Sequence, residues 1–202
     1  PGGFYVRAGH PLADAGPVSL GEQVNYGARY LNLASTAVNI GTTASLADAT
    51  AQGILPDGIL LNQGVLERLM QGDASKGAPA LERLILSASS SINFYGSVDL
   101  DARGGAGDTS LQVVLNTPAL YGHGTATDVA SLAADTLVWN GMQANAGTQW
   151  EPVWDSAPAG GAITHGPGTG GGTLNLIADR IVLGYQDGIA TRTGFGLDRM
   201  AL

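Results

Sequence analysis

At 202 residues the chain is long enough to bury a sizeable core in one domain. Charged residues make up only 13% and aromatics 6%, with 31 glycines, a balance that favours close-packed strands and tight turns over helices laced with salt bridges. The 9 basic and 17 acidic residues leave a net charge of -8, which repels nucleic-acid backbones and anionic membrane surfaces, and the absence of cysteine removes disulfides and thiolate chemistry together.

No apolar run of 18 residues occurs, so no membrane insertion is expected. The chain opens on Pro1-Gly2-Gly3 with neither an initiator Met nor a signal-peptide pattern, and is read as a piece of something longer.

Short alternating runs begin at Val18-Ser-Leu20, and the first long one is LNLASTAVNIG at 31–41. From about 48 to 79 the pattern changes. LLNQGVLERLMQG places Leu61, Val65, Leu66, Leu69 and Met70 on one face at helical spacing, which predicts a short amphipathic helix capping exposed core. Alternation returns in LILSASSSINFYG at 84–96, a looser copy of the first run with one extra residue before Ile92 and Phe94. Val98-Asp-Leu100 and Leu111-Gln-Val113 follow, then SLAADTLVWNG at 131–141. A long Gly/Pro-rich stretch over 142–172 precedes the last copy, LNLIADRIVLG at 174–184.

Anchored on Leu33, Leu86, Leu132 and Leu176, the copies recur at intervals of 53, 46 and 44 residues. Period-2 alternation means a strand with one buried face, and the polar step inside each copy reads as a corner. Strand, corner, strand and glycine, repeated at roughly two coils of about 20 to 25 residues per interval, predict an all-β fold. The expected architecture is a right-handed parallel β-helix spanning 1–202 as a single segment, with one short helical excursion at about 48–79 and one long loop at 142–172. Leu33, Leu132 and Leu176 point inward in this scheme with Val38, Leu137 and Ile181.

Chemistry-bearing patterns are sparse. Gly166, Gly168 and Gly171 fit G-x-G-x-x-G, but the run follows a Pro/Gly loop and opens a period-2 strand, so a turn feeding a strand is expected instead of a phosphate cradle. Asp99 and Asp101 alternate with Val98 and Leu100, which aims both carboxylates outward with Cα atoms ~6.6 Å apart. That spacing suits an acid/base pair or, more simply, a solvated face. Gly104 to Asp108 approaches a calcium-binding nonapeptide repeat without completing one, and His10, His123 and His165 sit beside Gly or Pro, the setting of surface histidines. No metal or cofactor is expected. Trp150 and Trp154, beside Glu151 and Asp155, are the candidate contacts for a sugar ring or a protein partner, or else rings folded back as staples.

The repeated copies, the Cys-free acidic Gly/Ala/Asn-rich texture and above all ALERLILSASSSINFYGSVDLDA at 80–102 resemble the large filamentous haemagglutinin-type exoproteins of Gram-negative bacteria. The resemblance implies two-partner secretion and a right-handed β-helix at the bacterial cell surface. It also implies a non-enzymatic role in adhesion or biofilm formation, toward a host-surface or matrix glycan or protein, or toward neighbouring coils of the same long chain. The alternative from another class is a β-helical polysaccharide hydrolase or lyase, since Gly122-His123-Gly124 resembles the histidine motif of polygalacturonases. The Asn-Thr-Asp, Asp pair and Arg-Ile-Lys of that family are missing.

Overall fold

Leu31 and Leu33, then Val38 and Ile40, are buried along one strand, as alternation over an apolar core requires. This strand belongs to a computed structural model that describes residues 3–7, 18–22, 27–101, 103, 110–140, 142–143, 171–183, 190–191, 193–195 and 199–201; for 3–7, 18, 142–143, 190–191, 193–195 and 199–201 it gives the backbone alone. In chain order the elements are β1 (Gly3–Arg7), β2 (Val18–Ser19), β3 (Tyr30–Gly41), α1 (Thr43–Ala51), β4 (Ile59–Asn62) and α2 (Gln63–Gln71). After a 3-10 turn at Ala74–Lys76 come β5 (Arg83–Tyr95), β6 (Val98–Asp101), β7 (Gln112–Asn116), β8 (Ala119–His123) and β9 (Val129–Trp139). The last strands are β10 (Met142–Gln143), β11 (Thr173–Leu183), β12 (Ala190–Thr191), β13 (Thr193–Phe195) and β14 (Arg199–Ala201).

The fold is all-β with two short helices. A 12-stranded sheet pairs its strands in parallel throughout, and among the described strands the short β10–β12 pair is antiparallel. Long strands β3, β5 and β9 each change partners part-way along one side, and β11 carries β14 at its start, which divides the pairings into three ladders. The first runs through β1, the start of β3, the start of β5, β7, the end of β9 and the end of β11. The second runs through β2, β4, the end of β3, the end of β5, β8 and β13. The third runs through β6, the start of β9, the start of β11 and β14.

Columns of apolar side chains pass through these ladders in register. Leu31 faces Leu84, Leu84 faces Val113, Val113 faces Leu137, and Leu137 faces Ile181. In the third ladder Leu100 faces Leu132, which faces Leu176. Leu33, Leu132, Leu176, Val38 and Leu137 are buried in one core, against which Ile181 packs partly buried. Truncating one such Leu to Ala costs about 2–5 kcal/mol, because parallel neighbours on both sides cannot collapse into the void.

Two of the three intervals bring the copies directly side by side, where about two coils per interval were expected. Leu33 faces Leu86 and Leu132 faces Leu176, but Leu86 faces Leu115, not Leu132. The segments at 98–101 and 112–123 supply the strands between those two copies. The extra residue in the 84–96 copy is a β-bulge: the register of β3 on β5 shifts between Ser35 and Ala37, where Ala37 meets Ser91.

The excursion holds two helices where one was expected, and the first starts ahead of Asp48. Thr42 opens α1 with a capping box shared with Ser45. Asn62 caps α2, its Oδ1 accepting from the backbone N–H groups of Gly64 and Val65. Gly72 ends α2 at φ 68, where a Cβ would stand 2.4 Å from the Ala80 nitrogen. The apolar face of α2 is the predicted one: Val65, Leu66, Leu69 and Met70 join the main core. Leu61 instead lies in β4, in register with Ile40. Among the described residues no helix is long and apolar enough to cross a membrane.

Candidate functional site

Trp150 and Trp154 fall outside the described residues, as do His10, His165 and most of the 142–172 stretch. The end of the glycine run is described. Gly172 takes φ 116 with its Cα hydrogens against the Asp128 carbonyl, a Cβ there would lie 2.8 Å from that oxygen, and Thr173 N–H donates to the same carbonyl at 2.9 Å. The run therefore leads into a parallel strand, as expected.

Asp99 and Asp101 point outward from β6 and are exposed. Arg103 Nη2 donates to Asp101 Oδ2 at 2.8 Å and Arg103 Nε to Oδ1 at 3.0 Å. That guanidinium holds the Asp101 carboxyl below the usual carboxylate range. A carboxyl kept ionised in this way is a poor proton donor at neutral pH. Both aspartates sit in the third ladder and His123 in the second, so the structure does not gather the three into one ladder.

His123 departs from the surface histidine expected. It ends strand β8 in register with Tyr95, and the two rings stack at 4.7 Å between centroids with an interplanar angle of 13°. Its Nε2 is buried with no hydrogen-bond partner among the described residues, and burial lowers its pKa from the usual 6.5. The flanking Gly124 has a structural reason. A Cβ there would lie 2.6 Å from Asp128 Oδ2, and that carboxylate accepts from Thr125 N–H at 2.7 Å and from Ser97 Oγ at 2.8 Å.

The Tyr95–His123 pair belongs to a covered column on the outer side of the second ladder. Asn39, Asn93 and Tyr121 follow one another in register there. Asn39 and Asn93 are 0% exposed. Asn93 Nδ2 donates to Asn39 Oδ1 at 2.8 Å, and Asn39 Nδ2 donates to the Pro56 carbonyl at 3.1 Å. Tyr95 packs with Leu46 and Ala49 of α1 and with Ile54, Leu55 and Leu60, and its hydroxyl reaches the Ile54 carbonyl at 3.4 Å. Burial pushes the Tyr95 phenol well above its ordinary range. A second layer made by α1 and the following segment thus turns outward-facing positions into interior ones. The signal was present in the sequence: Asn39 and Asn93 occupy the same place in two repeat copies, Val-Asn-Ile and Ile-Asn-Phe.

Beside this layer lies a cleft of about 300 Å³ lined by Ser19, Glu22, Thr43, Thr50 and Asn62 together with Leu46 and Leu60. The Glu22 carboxylate accepts from Thr43 Oγ1 at 3.1 Å and from Asn62 Nδ2 at 3.2 Å, while Arg68 Nη2 donates to the Glu22 carbonyl at 2.7 Å. Glu22 is the sole carboxylate among the described lining residues. The arrangement can position hydroxyl or amide donors but supplies no acid/base pair. Comparison with protein-family models, with curated proteins and with solved structures finds no match to this chain.

Proposed function

We propose that the three ladders wind as a right-handed parallel β-helix, and that the chain is a non-enzymatic structural and adhesive segment of a secreted bacterial surface exoprotein of the filamentous haemagglutinin type. The observation that carries this reading is the stacking of Leu31, Leu84, Val113, Leu137 and Ile181 in register across one ladder after another. Stacked coils of this kind make a stiff rod that holds side chains at fixed spacing, which suits display at a cell surface. The lack of cysteine fits export, and the net charge of -8 fits a partner other than nucleic acid.

Trp150 and Trp154 are the contacts proposed for a host-surface or matrix glycan or protein. The test is adhesion of the purified chain to glycan-coated and matrix-coated surfaces. Trp150→Ala with Trp154→Ala is expected to abolish binding while leaving the melting temperature within about 2 °C, as loss of exposed contacts does. A double variant that keeps both stability and adhesion overturns the contact assignment. Release of reducing ends from a polysaccharide panel, abolished by His123→Ala, would replace the adhesive reading with an enzymatic one.

A further inference from the structure

The cleft beside α1 has open groups that all call for the same kind of partner. Its walls come from three internal stretches: Ser19 to Glu22, one face of α1 (Thr43, Leu46, Ala47 and Thr50) and the end of β4. Ser19 is in register with Leu60, and Arg68 Nη2 donates to the Glu22 carbonyl at 2.7 Å, so the wall that carries Glu22 is held at both ends. At about 300 Å³ the cleft stands at the lower end of the range for small-molecule sites, which is room for a single sugar ring.

The hydrogen bonds inside the cleft leave a one-sided set of free groups. Glu22 Oε1 accepts from Thr43 Oγ1 and Asn62 Nδ2, and Asn62 Nδ2 also reaches Thr43 Oγ1 at 2.7 Å. Asn62 Oδ1 is taken by the α2 cap. Thr50 Oγ1 donates to the Leu46 carbonyl at 2.8 Å, which leaves its oxygen as an acceptor. Among the described residues, Glu22 Oε2 and the Ser19 hydroxyl have no partner, and no ion pair reaches Glu22. No Lys, Arg or His belongs to the lining. What stays open is a carboxylate oxygen and two hydroxyl oxygens beside the apolar surface of Leu46, Ala47 and Leu60.

We infer that this cleft takes one amino sugar unit, its ammonium on Glu22 Oε2, its hydroxyls donating to Ser19 and Thr50, and the carbon face of its ring on Leu46, Ala47 and Leu60. An ammonium has three donors and no acceptor, the complement of these free groups, and its bond to a carboxylate is charge-assisted. A neutral sugar fills the hydroxyl positions but leaves the carboxylate charge uncompensated, and an acidic sugar meets Glu22 with like charge. The inference stands on the cleft and needs neither the adhesive reading nor Trp150 and Trp154. One solvent-accessible charge pair makes the binding weak and salt-sensitive.

The test is calorimetric titration of the 202-residue chain with glucosamine, N-acetylglucosamine and glucose at about pH 6, where an amine of this kind is protonated. Glucosamine is expected to bind about fivefold or more tighter than the other two, which keep the hydroxyls and lack the charge. Glu22→Gln keeps an acceptor for Thr43 and Asn62 and should remove that preference. Ala47→Leu, on the exposed side of α1, fills the cleft with a good helix former and should block all three sugars. Melts by circular dichroism confirm that both variants are folded. The double variant Trp150→Ala with Trp154→Ala should bind glucosamine as the wild-type chain does, whatever becomes of its adhesion. Failure of glucosamine to bind, equal binding of the three sugars, or a preference that survives Glu22→Gln overturns the proposal. So does loss of glucosamine binding in the Trp double variant, which would move the sugar to that loop.

Discussion

Two edges of the same sheet are finished in opposite ways. At β6, which begins the third ladder, helix α2 lies against the strand edge: Gln63 Oε1 accepts the Asp99 N–H at 3.2 Å, and Val65, Leu66, Leu69 and Met70 close the core beneath. At β11 the edge from Leu176 to Leu183 has no such cover among the described residues, and apolar side chains face solvent. An amphipathic helix both shields hydrogen-bonding groups and removes apolar surface from water, whereas a bare strand does neither. Helix α2 thus closes the β6 end, while along β11 Ile177 and Leu183 keep the apolar exposure that such a helix removes.

The sharpest way to break this comparison is to place a charge at each end. Leu66 is fully buried under α2, so Leu66→Asp strands an unpaired carboxylate in the core at a cost of several kcal/mol, and loss of folding is expected in a chemical-denaturation series. Leu183→Asp should change stability by no more than about 0.5 kcal/mol, because its side chain already meets water. Equal losses at both positions would show that the β11 edge is as covered as the β6 edge.

Next in size is the cap that sets α2 in place. Asn62→Ala removes the acceptor for two helix N–H groups and one of the two side-chain donors to the Glu22 carboxylate, and should lower stability by about 1 kcal/mol. The covered outer column gives a pH signature. His123 is held neutral by burial, so the unfolded chain binds the extra proton first: stability is full above the ordinary pKa near 6.5 and falls as pH drops below it, levelling off under the lowered folded value. His123→Phe keeps the ring on Tyr95 and should flatten the fall in melting temperature between about pH 7 and 5. A slope unchanged by His123→Phe would place its origin elsewhere. The smallest effect belongs to Gln63→Ala, which leaves the Asp99 N–H to solvent. Stability should drop by less than about 1 kcal/mol while hydrogen exchange at that amide accelerates.

What was legible in the sequence followed from local pattern. Alternation marked Leu33, Val38, Leu132, Leu137 and Leu176 as inward, and the surplus residue before Ile92 falls where the register of β3 on β5 shifts. The α2 face was legible because its apolar residues recur at helical spacing. Helix α1 was not, since Thr43 to Ala51 is mostly Ala, Thr and Asp, and only Leu46 and Ala49 are buried along it. Register was legible only between copies that are neighbours. Leu86 and Leu132 match as text, yet Leu115 and Leu100 stand opposite them, because short strands with little resemblance to the copies complete the ladders. The outer column escaped for a different reason: alternation assigns Asn39, Asn93 and Tyr95 to solvent, and only the three-dimensional placement of α1 and its following segment buries them.

The central claim is that parallel strands stack in the stated order, with β7 beside β5, and a disulfide can measure it in a chain that has no other cysteine. Asn116 Nδ2 donates to Ser87 Oγ at 3.1 Å across that pairing, so Ser87→Cys with Asn116→Cys should oxidise nearly completely within one native chain. Ser87→Cys with Ala133→Cys tests the order in which Leu86 faces Leu132, and should remain reduced. Ready closure of 87 to 133, with 87 to 116 left as free thiols, would contradict the ladder order.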